Sequence, residues 1–278
     1  MAGAWDLWEV GICASLLANC NTWVMMNKET EDKLEDIFHE FLRNIYACPP
    51  STPLPALRSQ AGMISMKYRV WTEKVCLVAK LLHRTKPGNY ARLIMEEQIL
   101  MGWEGITKEA TDICKKVGLP DVAIKDIRRD DVIFAMKYHH MANLKEEMRP
   151  YDKLERIKNK DCSDMQAYMR DKSLEDSRLE FKWETNMLDS RTTMKNKYKN
   201  TKFPKSCPHC PEGRAVGVAE TLSHWMTCSA YGDLHKEGKD PEYIQKDRLR
   251  FLREVIKRRE ELEKKLRKEL NEPDVVEE

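Results

Sequence analysis

The sequence predicts a mainly α-helical protein, and three observations support this. Charged side chains make up 34% of the 278 residues, against about 25% in an average globular protein, which favours long solvated helices over large buried sheets. Apolar residues recur at spacings of three and four along much of the chain, as they do on the buried stripe of an amphipathic helix. Proline and glycine fall between these periodic segments, where helices are expected to end.

The first 120 residues are predicted to form a compact helical region. Each predicted helix has a boundary signal: a capping Thr or Asn, a proline in the first turn, or a glycine or proline after the last turn. We expect Trp103, which stands between Gly102 and Gly105, to anchor a turn in the core. The predicted helices are residues 30–46 with Thr30 as the cap, 53–62 ending at Gly62, 66–84, a helix capped by Asn89 that carries Leu93, Ile94 and Ile99, and 107–117.

The chain becomes more charged after Asp121, and its apolar stripe weakens. We expect extended helices over residues 121–190 that pack less tightly than the first region, and then a basic segment with a small metal-binding knuckle over residues 191–235. A last region, 236–278, is predicted to contain a long charged helix over residues 243–270 and an acidic tail. The weak stripe consists of Val132, Ile133, Met136, Met141, Leu144 and Met148.

The total charge gives no reason for binding to nucleic acid or membranes, because 48 basic residues face 46 acidic ones. One local run is strongly basic: residues 191–206 contain six lysines and arginines and no acidic residue, with Tyr198 and Phe203 between them. Such a run is typical of a segment that contacts phosphates and stacks on unpaired bases. Its basic residues are Arg191, Lys195, Lys197, Lys199, Lys202 and Lys205.

Hydropathy and cysteine usage indicate an intracellular protein. No stretch approaches the roughly 18 uninterrupted apolar residues of a membrane-spanning helix, so no membrane association is expected. The most apolar early segment, residues 10–18, has no basic residue before it, unlike a secretory signal. Six of the nine cysteines are scattered singly through apolar or helical sequence, as free thiols are in reducing compartments. The nucleus or the cytoplasm is therefore expected.

Three cysteines and a histidine have the spacing of a tetrahedral metal site. Two residues separate Cys207 from Cys210, three separate His224 from Cys228, and 13 lie between the pairs. A tight knuckle lets both thiolates of the first pair point at one ion. We expect the second pair on one face of a short helix that Glu220 or Thr221 begins. The pattern predicts a structural zinc ion, because four protein ligands leave no open position for a catalytic water.

Two alternatives remain open for this motif. The four side chains can be ordinary core residues that lie close in sequence by chance, although the spacing makes this the weaker interpretation. His209, inside the knuckle, or His235, beyond it, can replace His224 as the fourth ligand, but neither keeps the four-residue relation with Cys228. Trp225, which adjoins His224, is expected in the core.

Several segments, in order, resemble the region downstream of the polymerase palm in reverse transcriptases of non-LTR (LINE-type) retrotransposons. The resemblance covers most of residues 10–255. It implies thumb-like and connection helices over residues 1–120, and a basic lead-in to a terminal zinc knuckle. The segments that carry it are residues 14–17 (ASLL), 20–23 (CNTW), 41–43 (FLR), 53–58 (PLPALR), 66–70 (MKYRV), 96–98 (EEQ) with Trp103, 186–191 (NMLDSR) with Asn196, and the knuckle, with Glu220, Thr221 and Tyr231.

The chain departs from this family in lacking the palm carboxylates, which a polymerase needs to hold the two metal ions of nucleotidyl transfer. Asp130-Asp131 is the only Asp-Asp pair in the sequence, and it precedes a helical stripe, where acidic residues stabilise the first helical turn. We therefore expect no catalysis by this chain. The chain begins where a palm would already have ended, so we expect a truncated or separately read part of a longer element.

Binding of RNA or single-stranded DNA is the leading functional hypothesis. The knuckle would hold the basic lead-in as a fixed surface against a phosphate backbone. The expected phosphate contacts are Arg191, Lys195, Lys197, Lys199 and Lys205, with Tyr198 stacked on a base.

The sequence also offers two other functions. In a helical scaffold for protein partners, the zinc would only stiffen one end, and the C-terminal helix would dock through Leu249, Leu252, Val255 and Ile256. A nuclease built on Asp240, Glu242 and Lys246 has little support, because no flanking strands are readable around these residues.

Overall fold

The computed structural model describes residues 2–23, 27–119, 124–188, 206–236 and 248–269. The chain divides into two compact units, residues 1–181 and 182–278. In the described ranges helices predominate and the only β-pairing is one isolated bridge, so the prediction of a mainly α-helical fold is confirmed. None of the helices in these ranges is both long enough and apolar enough to cross a bilayer. The division into four sequence regions stays a prediction.

The first unit is built around one central helix. In chain order the helices through this unit are α1 (Ala2–Asp6), which continues through a π-helical stretch (Leu7–Cys13) into α2 (Ala14–Leu16), α3 (Lys28–Tyr46), α4 (Leu54–Ala61), α5 (Met66–Arg84), α6 (Tyr90–Met101), α7 (Ile106–Lys116), α8 (Arg129–Met148), α9 (Glu155–Lys158), α10 (Ala167–Asp171) and α11 (Leu174–Glu184). Short 3-10 turns lie at Cys20–Thr22, Ile124–Asp126 and Asp152–Leu154. α5 is the central helix, because it packs against α3, α6, α7, α8 and the first two of these turns.

The predicted helix boundaries of the first half agree with the structure to within two residues, and the cap of α3 differs from the prediction. Gly62 follows α4 in the left-handed conformation, and the Asn89 side chain caps α6 by accepting a hydrogen bond from the Ala91 amide at 3.0 Å. The prediction that Thr30 caps α3 is wrong. The cap is Asn27, whose side-chain oxygen accepts a hydrogen bond from the Thr30 amide at 2.8 Å, because its extended backbone aims the short amide at the first free N–H groups.

Aromatic packing holds the N-terminal helical segment against α3. The Trp8 side chain is fully buried, and its ring lies 5.3 Å from that of Phe38 and 4.5 Å from that of Phe41. Next to this contact, the Arg69 guanidinium of α5 donates to both carboxylate oxygens of Glu9, at 2.6 and 2.8 Å. A bidentate ion pair fixes the relative orientation of the two side chains as well as their distance. The N-terminal segment is therefore held in one orientation against α5.

α8 packs tightly, contrary to the expectation of looser packing after residue 120. Every fourth residue of α8 is buried: Val132, Met136, His140, Leu144 and Met148. Because an α-helix repeats every 3.6 residues, such a stripe turns by about 40° at each step. Its first half therefore joins the core of α5 and α7, and its second half joins a separate cluster with Ala56, Leu154 and Ile157. The stripe looked weak in the sequence because His140 fills its middle position.

α6 and the turn after it are exposed, so the prediction that Trp103 anchors a turn in the core is wrong. Trp103 is 51% exposed, and Leu93, Ile94 and Ile99 are 45–54% exposed. Met95 is the buried residue of this helix. Apolar residues lie on several sides of α6, and hydropathy alone does not identify which side meets the core.

The Asp130-Asp131 pair lies in the first turn of α8. Asp131 accepts hydrogen bonds from the Arg128 guanidinium, the shorter at 3.1 Å. The pair therefore occupies the helix-start position that the sequence predicted for it.

We predict that the stability of the first unit falls in acid because of two buried histidines. Burial, reinforced by the nearby Arg58, lowers the pKa of His39 to about 3 and that of His140 to about 4. Glu35, 3.7 Å from the His39 ring, does not reverse this effect. Both rings bind their protons mainly in the unfolded chain, so stability is complete above about pH 6.5 and declines as the pH falls towards the folded pKa values.

The expected loss is about 1.5 kcal/mol per histidine between roughly pH 6.5 and pH 5. Urea unfolding of the parent chain and of His140→Gln at both pH values measures it. The variant should lose less stability on acidification than the parent, and equal losses would contradict the assignment to His140.

We predict that Gly62→Ala is strongly destabilising. Gly62 has φ +62, and a Cβ there would lie 1.9 Å from the carbonyl carbon of Asp164 and 2.1 Å from the Met165 amide nitrogen. Backbone atoms cannot rotate away as a side chain can, so we expect a loss of about 2 kcal/mol or more in the free energy of unfolding. Gly88→Ala is the matched control, because Gly88 has φ +85 and open space around its Cβ position. It should cost roughly 1 kcal/mol, and equal losses would exclude the clash.

Candidate metal centre

The second unit has short helices around a cysteine-containing loop and one long helix. They are α12 (Pro211–Val216), α13 (Leu222–Trp225), a 3-10 turn (Ser229–Tyr231), α14 (Gly232–Lys236) and α15 (Arg248–Glu269). Ser206 and Ala219 form an antiparallel bridge, and the Cys207 amide donates to the Val218 carbonyl at 2.8 Å. This pairing brings the beginning of the loop alongside the segment that leads into α13.

Tight turns position the first two cysteines. The Cys210 sulfur caps α12 by accepting a hydrogen bond from the Gly213 amide at 3.1 Å. A Cβ on Gly213 would lie 2.0 Å from the Cys207 carbonyl oxygen, so a residue without a side chain is needed there. Gly217, at φ +77, ends α12 in the left-handed conformation and turns the chain back towards Cys207.

The second pair is positioned differently from the prediction. Thr221, one of the two residues expected to begin the helix, caps α13 by accepting a hydrogen bond from the His224 amide at 3.1 Å. However, α13 ends at Trp225, and Cys228 precedes the following 3-10 turn as its N-cap. The two ligands therefore do not share one helical face. A loop after a single helical turn brings Cys228 back to His224.

The ligand atoms of Cys207, Cys210, His224 and Cys228 all lie within 4.8 Å of one another. The Cys207 and Cys228 sulfurs are 3.9 Å apart, and the Cys210 sulfur is 3.4 Å from the His224 Nε2. A tetrahedral ion with metal–sulfur bonds of about 2.3 Å and a metal–nitrogen bond of about 2.0 Å has edges of roughly 3.8 and 3.5 Å. The four residues therefore form a group that could hold one metal ion.

Backbone amides stabilise the thiolate form of two of the cysteines, whereas burial destabilises it. Burial raises the pKa of the Cys207 and Cys228 thiols, because an isolated thiolate is poorly solvated there. Amide groups act in the opposite direction: those of His209 and Cys210 donate to the Cys207 sulfur, and that of Ala230 to the Cys228 sulfur. A cation among the sulfurs would supply the remaining stabilisation and displace the thiol protons.

A buried carboxylate connects the cysteine loop to α15. Glu220 is 0% exposed, and its Oε1 accepts hydrogen bonds from the Trp225 indole at 3.3 Å and from the Arg259 guanidinium at 3.0 Å. The guanidinium also lies over the Trp225 ring, 5.6 Å from its centroid. Trp225 is thus in the core, as the sequence predicted. The ion pair was not predicted, because Glu220 and Arg259 are 39 residues apart and no local pattern connects them.

The structure groups His224, rather than His209, with the three cysteines. The His209 ring is buried, with its Nε2 4.0 Å from a Glu220 carboxylate oxygen and 3.6 Å from one of Glu263. The His209 side chain therefore lies beside the buried Glu220 and the partly buried Glu263. The side chain of His235 lies outside the described residues.

The predicted nucleic-acid contacts also lie outside the described residues, and they stay predictions. They are Arg191, Lys195, Lys197, Tyr198, Lys199 and Lys205. The candidate nuclease residues Asp240, Glu242 and Lys246 also lie outside the described residues.

Comparisons of this chain with family models, with curated proteins and with solved structures find no match. The resemblance to a retrotransposon reverse transcriptase therefore stays a prediction from the sequence. The Cys3His cluster is a feature of this chain's own geometry, and it does not depend on any relative.

We predict that the purified chain binds about one metal ion and that Cys210→Ser removes most of this binding, because a hydroxyl is a much poorer ligand than a thiolate for such an ion. Elemental analysis after dialysis measures the stoichiometry. Cys76→Ser is the matched control, since Cys76 is half-buried and is not among the four clustered residues. A metal content near zero in the unsubstituted chain, or an equal content in both variants, would refute the site.

Proposed function

We propose that the second unit is a zinc-stabilised module that binds RNA or single-stranded DNA. In family terms it would be the C-terminal part of a LINE-type reverse-transcriptase-like protein without the polymerase palm. The observation that supports this most is the convergence of Cys207, Cys210, His224 and Cys228 directly after the most basic run of the sequence. A folded centre at this position would hold the end of that run against a fixed backbone.

Zinc is the metal that the donor set favours. Three sulfurs and one imidazole nitrogen in a tetrahedral arrangement are typical of structural zinc sites. Four protein ligands complete the coordination shell, so the ion would stabilise the loop and would not activate a water. Because the four ligands come together only in the folded loop, the binding free energy of the metal becomes folding free energy.

α15 gives the proposed module a second basic surface. Leu252 and Val255 are fully buried, and α15 packs against α14. Its exposed side chains include six cations and three acids over residues 248–265, so this surface is positive. The cations are Arg250, Arg253, Lys257, Arg258, Lys264 and Lys265, and the acids are Glu254, Glu260 and Glu261.

The Glu220–Arg259 pair would make this surface depend on the metal loop. Arg259 is held by a carboxylate that also bonds the indole next to His224. A loosened loop would release Trp225 and Glu220 together, and with them the orientation of α15. The basic lead-in and α15 would then no longer present their charges at fixed positions.

The proposal predicts salt-sensitive, metal-dependent binding of single-stranded oligonucleotides. Fluorescence anisotropy with a labelled RNA, at several salt concentrations, measures the affinity and its salt slope. Replacing Lys195, Lys197 and Lys199 with glutamine should reduce the slope by about 2, because each phosphate contact to a single strand contributes roughly 0.7. Removal of the metal by a chelator should weaken binding further.

A second triple variant separates specific contacts from net charge. Lys28, Lys115 and Lys137 are exposed lysines of the first unit, and their replacement by glutamine removes the same total charge. The proposal requires this variant to keep the parental slope. Binding that is absent at low salt, independent of salt, or unchanged after metal removal would contradict a metal-stabilised nucleic-acid module.

A protein-interaction surface is the second candidate function, and α6 rather than α15 favours it. The burial of Leu252 and Val255 leaves less apolar surface on α15 than the sequence suggested. In contrast, α6 and its turn expose Leu93, Ile94, Ile99, Leu100 and Trp103. A concentration of large exposed apolar side chains on one short helix favours a role in an interface. Sedimentation of the chain and of Ile94→Lys would reveal self-association through this helix.

A further inference from the structure

The first unit has a basic cleft of about 520 Å³. It lies between the C-terminal half of α5, the 3-10 turn Ile124–Asp126 and the beginning of α8. Six of its lining residues are cations or histidine: Lys80, His83, Arg84, Lys125, Arg128 and Arg129. Among the described residues of the lining, Asp126 is the one acidic residue. The cleft is therefore strongly positive.

Three of these cations have no carboxylate partner among the described residues. Arg128 pairs with Asp131 at 3.1 Å, and Arg129 pairs with Glu73 at 2.7 Å. By contrast, none of the described acidic groups forms an ion pair with Lys80, Arg84 or Lys125, all of which are exposed. The unpaired charges thus lie in the cleft, while neighbouring arginines are already neutralised.

The unpaired cations converge on the cleft from two elements. Lys80 and Arg84 are four residues apart on α5, so they lie on the same side of the helix. Lys125 adds a third charge from the facing turn. A concave surface lined by one sign of charge also concentrates the potential, which raises the local concentration of anions.

The walls of the cleft are rigid. Ala79 and Val132, which line it, are 7% and 0% exposed and belong to the packed core of α5 and α8. The cations therefore project from helices and a turn that are fixed by packing. Such a scaffold fixes the backbone positions from which the cations reach into the cleft, and the long side chains themselves adapt to a bound anion.

We propose that this cleft binds a ligand with two or more linked phosphate groups. Lysine ammonium and arginine guanidinium groups donate hydrogen bonds and have no acceptor atom of their own, and both bind phosphate oxygens. Two of the unpaired cations lie on α5 and the third on the facing turn, so they can contact different phosphate groups of one ligand. The phosphates belong either to a nucleic-acid backbone or to a small polyphosphorylated molecule. The site lies in the first unit and does not depend on the metal centre of the second.

Calorimetric titration of the full chain with inorganic pyrophosphate tests the shared chemistry. The Lys80→Gln, Lys125→Gln double variant should weaken binding about tenfold or more, since it removes two charged hydrogen-bond donors. The control is the Lys115→Gln, Lys137→Gln double variant, which carries the same net charge and changes two exposed lysines outside the cleft. It should change the affinity by less than about twofold.

A single-stranded RNA oligonucleotide distinguishes the two sources of phosphate. If the backbone is the ligand, the cleft variant should reduce the salt slope of RNA binding by about 1.4, also in a Cys210→Ser background. If a small molecule is the ligand, the cleft variant should bind pyrophosphate more weakly, but the salt slope of its RNA binding should equal that of the parent chain. No saturable binding of either probe by the unsubstituted chain, or equal losses in the cleft and control variants, would overturn the proposal.

Discussion

The second unit depends on four donor atoms that lie within 4.8 Å of one another. Three of them are sulfurs of buried cysteines, and burial keeps the thiols of Cys207 and Cys228 protonated in the absence of a cation. The glycine contacts, the bridge between Ser206 and Ala219 and the one-turn helix α13, with its buried Leu222 and Trp225, bring these atoms together. Part of the stability that this loop lends to Glu220, Arg259 and α15 therefore depends on what occupies the space between the sulfurs.

Local chemistry predicted a large part of the fold. Prolines, glycines and capping side chains act through the nearest few residues, so the boundaries of α4, α5 and α6 could be taken from the sequence. The metal ligands could also be identified from the sequence, because their spacing follows from tight turns between residues that are close along the chain. The error at Thr30 has the same origin: Asn27 and Thr30 are both good caps, and which of them adopts the extended backbone conformation depends on the preceding chain.

Features that depend on distant residues were not accessible in this way. The buried stripe of α8 seemed weak because a histidine occupies its centre, and the burial of His140 becomes visible only when other helices surround it. Trp103 was placed in the core because large aromatics usually are buried, yet no neighbour covers it fully. The link from Glu220 to Arg259 joins residues 39 positions apart. Hydropathy could not identify the basic cleft, because its charges come from α5, a 3-10 turn and α8.

The turning stripe of α8 has a consequence for the motions of the first unit. Val132 and Met136 belong to one hydrophobic cluster, whereas Leu144 and Met148 belong to another, so a single helix is a wall of both. Neither cluster can open widely without unpacking the helix that closes the other. The backbone amides of the helices that form the two clusters should therefore exchange with solvent in one cooperative unfolding step. Local unfolding of smaller segments should be confined to elements outside α8, such as α6.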